Sequence, residues 1–241
     1  MLKPEYTILP DYAPLYPQVP YHYKNYEKIS VYCRGNREAI ERFLPKDFEF
    51  VSDIFEIFVL KNEVIEGLDP YSEGGIVIPC KYKDIVGAYM AYEYVDTDEA
   101  LCAGREIWGY PKKLAEVEFS REQGFAQGKI IRKGKTIIDI AITFEGVEVN
   151  PPNLFPRLQV KRMPRADKYG MDMDQVILNE FVDSVIHTRQ TGTAKVNWEY
   201  SSYDPIAELG PVEVLGGVFV VGDFTLTYGK IIEDKVQVVA K

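Results

Sequence analysis

Runs of β-branched and aromatic residues separated by Gly and Pro recur at short intervals from Ile54 onward, and no other feature constrains the fold as much. Phe55 to Leu60, Ile76 to Pro79 and Ile85 to Val95 read as strands, as does the alternating Lys28-Ile29-Ser30-Val31-Tyr32-Cys33. Leu114-Ala115-Glu116-Val117-Glu118-Phe119 alternates strictly, the pattern of one half-buried strand. Lys129 to Arg132 and Thr136 to Phe144 flank Lys133-Gly134-Lys135, which predicts a hairpin turn. Past the Pro-rich segment Asn150 to Pro156, the runs Leu158 to Met163, Val176 to Ile186, Ala194 to Tyr200 and Glu213 to Tyr228 each predict one or more strands. Helices are few. Asn36 reads as the N-cap of a helix from Arg37 to Leu44 that Pro45 closes, and Asp96 to Ala103 reads as a short helix or loop. The expected fold is mostly β: an antiparallel barrel or sandwich with a few short flanking helices. With no internal repeat or composition break, a single domain over residues 1–241 is expected.

A chain of 241 residues, 46% of them hydrophobic, is long enough to bury a dry interior pocket. Residues 1–20 carry five prolines among aromatic and aliphatic residues, which predicts an extended arm packed on its own body or on a neighbouring subunit. No apolar stretch reaches the length of about 18 residues that a membrane helix needs, and the first residues do not have the pattern of a signal peptide. The net charge of −9 excludes a nucleic-acid-binding surface, so an anionic substrate requires positive charge built locally into its pocket. Cys33, Cys80 and Cys102 are odd in number and widely spaced, which points to a reducing cytoplasm instead of a disulfide framework. His22 and His187 have neither a Cys nor a second His nearby in sequence, so no metal site is expected.

Chemistry concentrates in Gly104-Arg105-Glu106-Ile107-Trp108-Gly109-Tyr110-Pro111-Lys112-Lys113-Leu114. Adjacent lysines usually mark a solvated face. Here Tyr110, Pro111 and Leu114 enclose them and a regular strand follows directly. Neighbouring residues of a strand point to opposite faces, so the two ammonium groups are expected to diverge.

The segment resembles the signature of the acetoacetate decarboxylase family, Gly-Arg-Glu followed after a few residues by Tyr-Pro-Lys-Lys-Leu. The resemblance extends over almost the whole chain. Pro20-Tyr21 and Asn25, Phe55-Glu56-Ile57 and Glu73-Gly74-Gly75-Ile76-Val77-Ile78-Pro79 are similar to further family blocks. It implies that Lys112 is a nucleophile forming a Schiff base with a small keto acid, and that Lys113 and Glu73 assist it. The lysine of acetoacetate decarboxylase is itself a standard example of an amine activated by desolvation or a cationic neighbour. A model lysine titrates near about 10.4, so the amine must be driven well below that value, with desolvation the larger expected influence and Lys113 the smaller. The resemblance also implies that Tyr110 lines the cavity, that Glu56 is a second pocket carboxylate, and that Arg105 and Glu106 brace the loop beside the site. The iminium is its own electron sink, so no cofactor is expected. A homo-oligomer is expected as well.

Two positions depart from the family pattern. Tyr26 stands where decarboxylating members carry an arginine, and a hydroxyl cannot make that residue's bidentate charged contact with a carboxylate. Glu93 stands where an apolar residue is expected. Facing the lysine, it raises the amine's pKa; facing outward, it has no consequence. The leading expectation is decarboxylation of a β-keto acid, acetoacetate to acetone and carbon dioxide. Its alternatives are an aldolase-dehydratase using the same lysine on another keto acid, and a non-catalytic barrel that binds a small ligand.

Overall fold

The computed structural model describes residues 8–210 and 212–236. Its strands are β1 (Tyr21–Arg34), β2 (Glu49–Phe50), β3 (Ile54–Asn62), β4 (Val64–Glu66), β5 (Tyr71–Tyr82), β6 (Ile85–Val95), β7 (Lys112–Leu114) and β8 (Glu116–Glu122). They continue as β9 (Phe125–Arg132), β10 (Lys135–Phe144), β11 (Arg157–Pro164), β12 (Met171–Asn179), β13 (Phe181–Asn197), β14 (Glu213–Leu226) and β15 (Lys230–Asp234). Two short α-helices, α1 (Arg37–Arg42) and α2 (Asp98–Ala103), flank them, with a π-helical turn over Gly104–Trp108 and a 3-10 turn over Ile206–Leu209.

All the strands join one sheet in the order β15-β12-β11-β6-β5-β3-β1-β14-β13-β10-β9-β8, with β2, β4 and β7 attached at its sides. Pairing is antiparallel except where β6 meets β7 and β11. Among the described residues the path ends at β8 and β15 without closing, so the mostly β fold expected from the sequence takes the form of one open sheet that curls over itself, not a closed barrel. In that curl β9 and β10 pack across β3 and β1.

The curl buries both faces of the central strands. On β3, Phe55, Ile57 and Val59 enter a core shared with Ile130, Ile138 and Ile140, while Phe58 and Leu60 enter a second core on the other face. On β1, Ile29, Val31 and Cys33 join the first core. Alternation then directs Lys28, Ser30 and Tyr32 to the second face, the side on which the polar residues of the candidate site collect.

Local signals translate directly into structure at several points. Asn36 Oδ1 accepts the backbone N–H of Ala39 at 3.2 Å and opens α1. Lys133 and Gly134, with φ of 51° and 73°, make the two-residue turn between β9 and β10, both in the left-handed conformation that matches strand twist. The single strand expected over Leu114–Phe119 is instead two. The chain breaks at Ala115, whose N–H is taken by Val95 O at 2.9 Å, so β7 pairs with β6 and β8 with β9. Of the Pro-rich arm, residues 1–7 lie outside the described residues. Within the remainder Ile8 and Tyr16 are buried against the body, and the Tyr16 hydroxyl donates to Glu106 at 2.5 Å.

Candidate active site

The π-helical turn ends at Gly109, whose φ of 81° lies in the left-handed region, and a Cβ there would collide with the backbone of Lys161. That reversal delivers Tyr110 and Lys112 back toward the sheet. Lys112 then pairs in parallel with Glu93 of β6, and its aliphatic stem runs across Gly104 so closely that a Cβ on Gly104 would overlap Lys112 Cδ and Cε. The glycine at the head of the motif therefore has a steric role: it is the floor over which the lysine passes. Arg105 Nη1 donates to the carbonyl of Lys112 at 3.2 Å and ties the turn to the strand.

Lys112 lies 6% exposed at one end of a cavity of about 240 Å3. Its Nζ donates to Glu73 Oε2 at 2.6 Å and lies 3.5 Å from Glu93 Oε1. The ring of Tyr71 stands below it, with Nζ 5.3 Å from the ring centre. Tyr110 also faces the ammonium, and its hydroxyl accepts from Asn179 Nδ2 at 3.1 Å. Much of the remaining wall is aromatic, with Tyr23, Tyr26, Phe58, Trp108 and Phe224 among its members, and the exposed Ser184 and Ile186 mark its solvent side.

The electrostatics reverse the expectation for the free amine. Burial is the strongest single influence on Lys112 and acts downward, yet Glu73 and Glu93 together outweigh it, so the ammonium is held above the ordinary lysine range. Glu93 carries the matching cost. Burial, with the charge of Glu73 beside it, pushes its carboxyl up to about 8 despite Lys112, so Glu93 is largely neutral at pH 7. The resting site is a buried ammonium–carboxylate pair with a second, protonated carboxyl against it.

Lys113 leaves the strand on the opposite face, as adjacent β residues must, and does not line the cavity. It pairs with the fully buried Asp204 at 2.6 Å, and Asp204 also accepts from Arg132 Nε at 3.0 Å and the Tyr94 hydroxyl at 3.1 Å. Arg105 and Glu106 are exposed and lie outside the cavity wall, as does Glu56. Glu56 is buried directly behind it, where Oε1 accepts from Lys28 Nζ at 2.7 Å and Ser30 Oγ at 2.6 Å, and Oε2 lies 3.8 Å from Arg157 Nη2. Burial acts upward on Glu56, but Lys28 and Arg157 outweigh it and hold the carboxyl below its usual range.

Lys28, Arg157 and Tyr71 line the cavity although sequence reasoning did not select them. Lys28 had a legible signal, the polar face of an alternating strand, which reads as solvated until something covers that face. Arg157, the first residue after the Pro-rich segment, had none.

The family model described as acetoacetate decarboxylase matches residues 9–236. The chain is 28% identical to acetoacetate decarboxylase of Acidiphilium cryptum over 231 residues, and 23% identical to that of Clostridium beijerinckii over 230 residues, covering 94% of both partners in each case. Among solved structures, an acetoacetate decarboxylase superposes with a TM-score of 0.88 at 20% identity, covering 97% of both chains. The enduracididine biosynthesis enzyme MppR, complexed with the condensation product of pyruvate and imidazole 4-carboxaldehyde, superposes with a TM-score of 0.85 at 19% identity, covering 98% of this chain and 99% of that one. In the extent of the match, in its mostly β fold and in the lysine motif that the sheet buries, the chain belongs to the acetoacetate decarboxylase family.

Proposed function

We propose that this protein is a Schiff-base-forming carboxy-lyase that decarboxylates a β-keto acid, acetoacetate to acetone and carbon dioxide, through an imine on Lys112. The observation that supports it is the Lys112 ammonium enclosed at the end of a buried cavity with Glu73 at 2.6 Å. In the resting pair the amine is masked by its proton, and Glu73 is within reach to accept it. The freed Nζ adds to the ketone carbon, and the hydroxyl of the resulting carbinolamine leaves as water with a proton from the neutral Glu93. The iminium draws in the electron pair of the adjacent carbon–carbon bond as carbon dioxide departs. The enamine formed is protonated on carbon, and water hydrolyses the iminium to acetone and free Lys112.

The test is incubation with acetoacetate followed by borohydride, mapping of the adduct by peptide mass, and measurement of released carbon dioxide. An adduct on Lys112 with carbon dioxide release is expected, and Lys112→Met should abolish both. No adduct with any keto acid would sink the proposal and leave a non-catalytic ligand-binding protein.

Glu93 favours a second reading. A protonated carboxyl 3.5 Å from the lysine is suited to expelling a hydroxyl as water, which an aldolase-dehydratase needs twice, once for the imine and once for the aldol product. The structural similarity to MppR, whose complex holds a condensation product of pyruvate, is consistent with it. An adduct on Lys112 without carbon dioxide release, and condensation of pyruvate with an added aldehyde, would select this reading. Three free cysteines and the apolar residues exposed on β13 (Val182, Val185 and Ile186) support a cytoplasmic homo-oligomer, which sedimentation velocity checks for assembly.

A further inference from the structure

The cavity is electrically two-ended. At the Lys112 end one cation meets two carboxyl groups, Glu73 and Glu93. Elsewhere on the same wall Lys28 and Arg157 share a single carboxylate, Glu56, which sits behind them and leaves an excess of positive charge on the cavity side. The Arg157 side chain is 4% exposed; Nη1 donates to Leu154 O at 2.7 Å, Nη2 lies 3.8 Å from Glu56, and among the described residues no group accepts from Nε. A buried guanidinium N–H without an acceptor, in a residue that lines the cavity, is costly unless a ligand oxygen meets it. Tyr26 on the same wall offers only a hydroxyl.

We propose that Arg157, with Lys28 beside it, is the carboxylate-binding subsite of this cavity, which anchors a keto acid by its anionic end while the carbonyl is presented to Lys112. The Nε and Nη edge of a guanidinium matches the two oxygens of a carboxylate. The opposite orientation would set the substrate carboxylate against the Glu73 carboxylate. Neutral ketones lack the anchor, so the subsite selects keto acids. This assignment rests on the Lys112 imine for its catalytic meaning but not for its binding chemistry.

Two probes separate those claims. Adduct formation is measured as a function of concentration, by borohydride trapping with acetoacetate and by the near-ultraviolet absorbance of the conjugated enaminone with the neutral diketone acetylacetone, in wild type, Arg157→Gln and Arg157→Lys. Binding of 3-hydroxybutyrate, a carboxylate with no carbonyl, is measured by calorimetry in the same proteins. Arg157→Gln should raise the half-saturating acetoacetate concentration roughly tenfold or more, weaken 3-hydroxybutyrate by a similar factor, and leave acetylacetone within about twofold. The acetylacetone adduct also reports an intact site. Should the glutamine variant fail to fold with Glu56 left short of one cation, Arg157→Lys, which keeps the charge and loses the fork, must show the same selective weakening at smaller size. Equal effects on both adduct-forming probes, or no effect on either carboxylate, overturn the subsite. If neither probe forms an adduct with wild type while 3-hydroxybutyrate binding still depends on Arg157, the subsite stands and the imine reading falls.

Discussion

At the scale of single residues, Glu93 has the largest unexpected consequence. Its carboxyl titrates near about 8 in the folded protein against an ordinary value of 4.5, so between those pH values the native state holds a proton that the unfolded chain has released. Stability therefore falls as pH rises from about 4.5 toward about 8, with a slope of at most about 1.4 kcal/mol per pH unit from this group, and levels off above. Glu93→Gln should remove that slope, and because it deletes a charge facing the ammonium, it should also lower the Lys112 pKa. Urea denaturation at pH 6 and pH 8 reads the first effect, and the pH dependence of Lys112 acylation by acetic anhydride reads the second. An unchanged difference between the two pH values would refute the placement of the proton on Glu93.

At the scale of elements, the π-helical turn and β7 act as one device. Gly104 and Gly109 serve different ends: the second supplies a left-handed backbone, the first supplies room. Gly104→Ala is expected to displace the Lys112 stem and reduce imine trapping by roughly 100-fold, because a misplacement of about 1 Å costs that much in a positioned site. Its effect on the thermal midpoint should be modest, since a helical alanine is locally favourable. Trapping yield and calorimetric midpoint on one preparation check this, and trapping close to wild type would show that the stem tolerates a Cβ there.

Elements also show what was readable in the chain. The strand runs, the Lys133-Gly134 turn and the Asn36 cap depend on neighbours within a few residues, and each appears where its pattern predicts. The divergence of Lys112 and Lys113 follows from the two-residue period alone. The break at Ala115 was not readable, because alternation continues through it, and only the competition between β6 and β9 for the chain divides the strand.

At the scale of the whole molecule, Asp204 is a fastener. It precedes the 3-10 turn and joins Tyr94 of β6 and Lys113 of β7, which pair with each other, to Arg132 of β9, far along the sheet's path, at the place where the curl brings them together. Lys113 is thereby committed to structure, which distances it from the role of electrostatic helper to Lys112. Removing the charge of a fully buried carboxylate that holds two cations leaves them uncompensated, so Asp204→Asn is expected to cost about 3 kcal/mol. Equilibrium urea denaturation measures it, and a cost below about 1 kcal/mol would mean that the cluster is solvated in solution.

By itself the sequence determined the mostly β class, most strand positions, the segment that bears the chemistry, and the opposite directions of the two lysines. All of these depend on local period, turn chemistry and motif. Tertiary structure alone decided that both faces of the central strands are buried, which turned the polar face of β1 from an apparent solvent face into a cavity wall. It also decided the ionisation of the site. Lys112 meets Glu73 across 39 positions of chain, and Arg157 reaches Lys28 and Glu56 only because the sheet curls. Proton affinity in a dry cavity depends on every charge within a few ångströms, and that set is fixed by packing, not by order along the chain.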